Sequence, residues 1–66
     1  MTVKEVQDAV KAIEAMDCNE GMHAEEDKLL RNVMRCIANG TNKDSPQQLA
    51  KACVKVIDLP FIRWYA

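Results

Sequence analysis

The chain has 66 residues, of which 48% are hydrophobic, and it carries a formal net charge of −1. The length allows one domain at most, and the balanced charge argues against a protein that holds nucleic acid through a broad basic surface. No apolar run approaches the roughly 20 residues of a membrane span, and the N-terminus alternates charged and apolar residues. We therefore expect neither a transmembrane helix nor a signal peptide.

The three cysteines favour a reducing compartment. Cys18, Cys36 and Cys53 are odd in number, widely spaced and without a C-x-x-C pair, which predicts free thiols instead of a disulfide framework or a zinc site. We therefore expect a cytoplasmic protein. A chain this short buries only roughly 60% of the surface that its unfolded form exposes, so self-association is the expected source of extra stability.

The first predicted helix covers residues 3–17. Thr2 and Glu5 fit a capping box, in which the threonine side chain accepts a hydrogen bond from the third helical amide. Apolar residues then recur at three- and four-residue steps and form a narrow stripe: Val3, Val6, Val10, Ile13 and Met16. Residues 18–21 contain turn-forming types, so the next helix is expected to return antiparallel to the first.

The second predicted helix covers residues 22–39 and has the clearest signals. Acidic residues 25–27 precede Lys28, Arg31 and Arg35, which predicts charges that follow the helix dipole, and Gly40 suits a left-handed cap. Its apolar face is wider than the stripe of the first helix. We expect that stripe to cover Leu30, Val33 and Ile37 and to leave three residues for another element: Leu29, Met34 and Cys36.

The third predicted helix covers residues 46–58, with Ser45 as its cap, Pro46 in its first position and Pro60 near its end. Its inward residues are expected to be Leu49, Ala52, Cys53, Val56 and Ile57, flanked by Ala50 and Val54.

The tail, residues 59–66, contains the only phenylalanine, tryptophan and tyrosine of the chain. Aromatic residues at a terminus indicate docking, because termini are normally polar and frayed. Phe61 and Trp64 either close the core of their own chain, or Trp64 and Tyr65 contact a second copy or a partner together with Arg63.

The cluster of acidic residues around His23 does not fit a metal site. A calcium loop that starts at Asp17 would need glycine and glutamate where Met22 and Lys28 stand. Cys18 and His23 lack a second ligand pair for zinc, and as a nucleophile and base they lack a third orienting group. We therefore expect no catalytic, cofactor-binding or metal-binding residues, and no enzyme activity.

Residues 45–55 look like the first helix of a helix-turn-helix, which makes a DNA-binding transcriptional regulator the alternative function. The segment in the place of the recognition helix contains Pro60, several large apolar residues and a single cation, Arg63. Phosphate contacts require clustered Lys and Arg, so nucleic acid is the less favoured partner. The polar helix faces carry charges of both signs, which argues against membrane binding.

In overall layout, a short acidic chain with capped alanine-rich helices, unpaired cysteines and an aromatic terminus, the protein resembles the small accessory proteins encoded in the early regions of temperate bacteriophages. The resemblance implies a non-enzymatic protein that binds and adjusts a host or phage regulatory component, in the host cytoplasm.

The sequence thus predicts an all-α protein, an antiparallel helical hairpin plus a third helix or helical tail, assembled as a homodimeric helical bundle. The predicted function is regulation through protein-protein interaction. The predicted interface residues are Leu29, Val33, Met34, Ile37, Phe61, Ile62, Trp64 and Tyr65.

Overall fold

The computed structural model describes residues 1–62, and they form three α-helices with no β-strand in that range. The helices are α1 (Val3–Glu14), α2 (Asn19–Asn39) and α3 (Pro46–Ile57). The all-α prediction is confirmed. Residues 59–62 are not helical, and the remainder of the predicted tail, residues 63–66, lies outside the described residues.

Helix α1 begins with the predicted cap. The hydroxyl oxygen of Thr2 accepts the backbone N–H of Glu5 at 3.2 Å. The helix ends at Glu14, three residues before the predicted end, because the chain tightens there: the N–H of Met16 donates to the carbonyl of Ile13 at 3.0 Å, a bond over three residues instead of four.

Helix α2 begins earlier than predicted, at Asn19 instead of Met22. Cys18 is its N-cap in an extended conformation, and the Cys18 Sγ accepts the N–H of Gly21 at 3.5 Å. The predicted turn is therefore the first turn of the helix. Because of this earlier start, Glu20 is the acidic residue of the first turn and residues 25–27 lie beyond it. No basic residue lies in the last turn, so the predicted match between the charges and the helix dipole is wrong.

The two remaining predicted caps are confirmed. Gly40 ends α2 with φ of 70° and ψ of 22°, the left-handed conformation that glycine adopts without strain. Ser45 accepts the N–H of Gln48 at 3.2 Å, and Pro46 occupies the first position of α3. Helix α3 ends at Ile57, with Asp58 as its C-cap.

The α2–α3 connection attaches directly to the start of α1. The N–H of Lys43 donates to the carbonyl of Met1 at 3.0 Å, and the N–H of Val3 donates to Asp44 Oδ2 at 2.7 Å. The N-terminal ends of α1 and α3 therefore lie together and the two helices run in the same direction. They make the most extensive helix pair of the fold, so the principal neighbour of α1 is α3 and not its predicted hairpin partner α2.

The core lies between the three helices, and its most deeply buried large side chains are Val6, Leu49 and Val56. The burial pattern shows how the apolar residues of α2 divide between the centre and the edge of the core. Leu29 and Cys36, expected to remain for another element, are buried within the chain, whereas Leu30 and Ile37 are only half-buried at the edge of the core.

Candidate interaction surface

An apolar groove runs along the seam between α2 and α3. Its volume of about 170 Å³ is smaller than the roughly 300–1,000 Å³ of a typical small-molecule site, so it suits the side chains of a macromolecular partner better than a metabolite. Within residues 1–62, all of its lining residues are apolar: Leu30, Val33, Met34, Ile37, Ala50, Cys53 and Val54.

Exposed apolar side chains extend the surface around this groove. Met34 is 69% exposed, Val54 is 51% exposed and Ile57, one turn further along α3, is 50% exposed. Three- and four-residue spacing places the exposed residues on one stripe of each helix. We call this surface the α2/α3 face; it consists of Leu30, Met34, Ile37, Ala50, Val54 and Ile57.

The predicted interface residues are distributed between this face and the core. Met34 and Ile37 line the groove, and Val33 forms part of its buried floor. Leu29 and Phe61 are buried in the core of their own chain. Ile62 is 48% exposed at the end of the described chain. Trp64 and Tyr65 lie outside the described residues.

The contribution of α3 to this face was not predicted. Ile57 was expected to point inward, yet half of its side chain is exposed. Ala50, Val54 and Ile57 are spaced by four and three residues, and this spacing is the signal that indicates a second apolar stripe beside the buried one. Sequence alone did not show which of the two stripes α1 covers.

Glu26 is the second feature that sequence reasoning missed. Its acidic neighbours predict an exposed helix start, but the structure buries it to 4% exposure, with the core residues Met22 and Leu29 one turn away on the same face of α2. Burial, and secondly the negative charge of Glu26, raises the pKa of the Cys53 thiol. A raised pKa keeps a thiol protonated, and the protonated form is a poor nucleophile.

The residues considered for metal binding or catalysis lie at the start of α2. Cys18 caps α2, and His23 Nε2 lies 3.8 Å from Asp27 Oδ1, one turn further along the helix. Among residues 1–62, no group of three or more His, Cys, Asp or Glu side chains is arranged to hold a metal ion. None of the helices in that part of the chain is long and apolar enough to cross a membrane.

Comparison with known proteins finds no matching family model, no matching curated protein and no matching solved structure. The α2/α3 face is therefore identified from geometry alone.

Proposed function

We propose that this protein is a small non-enzymatic regulator that acts by protein-protein interaction through the α2/α3 face, and that its first partner is a second copy of the chain. The observation that carries the proposal is the wholly apolar groove flanked by exposed Met34 and Val54. Isolated exposed apolar side chains are ordinary on protein surfaces, but a contiguous group on two adjacent helices is typical of an interface.

The face suits a helical partner. Apolar stripes on two antiparallel helices, with a shallow seam between them, accept the apolar side of another helix or helix pair. In a two-fold dimer, each copy presents the same face, and two α2–α3 pairs pack as a four-helix layer. Burying a large apolar side chain contributes about 1.5–3 kcal/mol, so covering three half-exposed residues contributes a few kcal/mol.

The composition supports a second copy as partner. A net charge of −1 produces little repulsion between copies, and a 66-residue chain gains more from a shared core than a larger domain does. The free thiols, with Cys18 exposed and the other two buried, favour a cytoplasmic setting. The resemblance in layout to phage early-region proteins supports a host or phage regulatory component as the further partner of the dimer.

Sedimentation velocity at micromolar concentration tests the proposal. We expect a dimer for the wild type and a folded monomer for Met34→Asp and Val54→Asp, because each variant places a charge in the apolar contact. Ala24→Asp is the matched control, since it adds the same charge to an exposed position of α2 outside the α2/α3 face. This control should remain dimeric.

Two results would overturn the proposal. One is a wild type that sediments as a stably folded monomer throughout the micromolar range. The other is a dimer that persists unchanged in both face variants, which would place the contact elsewhere on the molecule. Circular dichroism of each variant establishes that its helices are retained, so that loss of the dimer is not loss of the fold.

A further inference from the structure

A second groove lies between α1 and α3 and differs in character from the α2/α3 face. It consists of two adjoining hollows of about 520 Å³ and 250 Å³, which share Gln7, Ala52 and Lys55 in their linings. Val10 and Ala52 contribute apolar surface to it. We call it the α1/α3 groove.

Lysines line both walls of the α1/α3 groove. Lys11 belongs to α1, and Lys51 and Lys55 lie one turn apart on α3. Within residues 1–62 none of these three forms an ion pair, whereas Lys4 pairs with Asp8 at 3.4 Å. The carboxylate in the lining, that of Asp44, accepts the N–H of Val3. The three lysines outnumber this one carboxylate among the described lining residues, so the groove is locally positive in a chain of net charge −1.

We propose that the α1/α3 groove binds an acidic amphipathic helix of a partner protein. Helices α1 and α3 pack directly against each other, and the surface groove along such a pair is where the side chains of a further helix can pack. Carboxylates one turn apart on the partner helix would form ion pairs with Lys51 and Lys55. Small apolar side chains of the same helix would pack on Val10 and Ala52. This surface is separate from the α2/α3 face, so the inference stands whether or not the chain dimerises.

A protein helix fits the groove better than a nucleic acid does. Tight binding to duplex DNA uses many phosphate contacts, and three lysines on two walls supply few of them. Among residues 1–62, the lining contains neither arginine, the usual reader of guanine edges, nor an aromatic ring for base stacking. Two or three carboxylates on one face of a helix are sufficient to occupy the available lysines.

Fluorescence anisotropy with a labelled probe tests the inference. The probe is a helical peptide of Ala, Leu and Glu with glutamates one turn apart, and its comparison peptide has glutamine in place of glutamate. The wild-type protein should bind the acidic probe at low salt, with an affinity that falls as the salt concentration rises. It should show no binding of the glutamine peptide. Lys51→Glu/Lys55→Glu should weaken binding by about tenfold or more, since two attractive contacts become repulsive.

The matched control is Arg31→Glu/Arg35→Glu, which reverses two exposed charges at the same spacing on α2 and changes the net charge equally. This control should retain binding of the acidic probe. Lys51→Gln/Lys55→Gln removes the attraction without adding repulsion, and it replaces the charge-reversal variant if that variant loses its helices.

Three outcomes would overturn the inference: no binding of the acidic probe at low salt, an equal loss in the α3 and α2 variants, or tighter binding of a labelled DNA duplex than of the acidic peptide. The last outcome would identify the groove as a phosphate-binding surface.

Discussion

Asp44 accepts the backbone N–H of Val3 through Oδ2 at 2.7 Å, although 41 positions separate the two residues. The first amides of a helix have no partner within the helix, and this carboxylate, which comes from the α2–α3 connection, satisfies one of them. The same connection holds Met1, whose terminal ammonium group donates to the carbonyl of Thr41 at 3.3 Å. The contact thus orders the loop and the start of α1 together.

Replacing Asp44 by alanine should lower the free energy of unfolding by about 1 kcal/mol, the typical cost of losing a side-chain acceptor at a helix N-terminus. Asp44→Asn retains an acceptor and should lower it less. Asp8→Ala, which removes a carboxylate from an exposed ion pair with Lys4, is the control and should change stability little. Urea titrations of the three variants make the comparison, and equal stabilities for Asp44→Ala and wild type would contradict the capping role.

Replacement by alanine should have opposite effects on stability at Gly40 and at Gly21. Gly40 has a φ of +70°, and a Cβ there would meet no atom within 4 Å, so Gly40→Ala should cost about 1 kcal/mol through backbone strain alone. Gly21 lies in the first turn of α2, and its added Cβ would approach Met16 Cε, the mobile end of a side chain, at 3.0 Å. Gly21→Ala should be neutral or stabilising. Thermal unfolding followed by circular dichroism ranks the two variants, and a more stable Gly40→Ala would show that the left-handed cap is not needed.

Cys18→Ser should stabilise the protein by about 0.5–1 kcal/mol, because a hydroxyl oxygen is a stronger acceptor than sulfur for the amide of an N-capped helix. The Cys18 Sγ lies 3.5 Å from the amide nitrogen of Gly21, and Cys18 is exposed, so the substitution creates no cavity. Chemical denaturation of the variant beside wild type measures the gain. Cys18→Ala removes the acceptor and should fall below wild type, and the reverse order would contradict the N-cap assignment.

The thiols should differ in reactivity. Cys18 is exposed, whereas Cys36 and Cys53 are buried. A chromogenic disulfide reagent at neutral pH should therefore modify one thiol rapidly and the other two only after unfolding in urea. Cys18→Ser should eliminate the rapid phase. Rapid modification of all three thiols in the native protein would contradict the burial of Cys53.

Stability should fall at alkaline pH through the thiol of Cys53. Burial and the neighbouring charge of Glu26 raise the pKa of Cys53 in the folded protein. The folded state therefore retains the thiol proton more strongly than the unfolded state does. The protonated thiol therefore contributes to the free energy of unfolding. Its contribution is complete below the unfolded-state pKa of about 8.5 and is lost as pH rises from there through the raised folded-state pKa. Urea titrations across that range should show a smaller decline for Cys53→Ala than for wild type.

Local interactions explain which parts of the fold were predictable. The caps at Thr2, Gly40 and Ser45 each involve residues within a few positions of one another, so residue type and spacing were sufficient to predict them. The start of α2 was missed because cysteine is not among the preferred N-cap residues, and Asn19 and Gly21 are ordinary turn formers. Cys18 nevertheless supplies a weak acceptor in the required extended conformation.

The sequence by itself therefore determined the number of helices, their approximate extent and the three capped ends at Thr2, Gly40 and Ser45, since each of these caps depends on residues within one segment. Tertiary structure alone decided which apolar stripe is covered and which remains exposed. Glu26 is buried and Ile57 half-exposed because the position of each helix depends on contacts between distant residues, among them Asp44 with Val3. Those contacts place α3 against α1, and the placement leaves the α2/α3 face open.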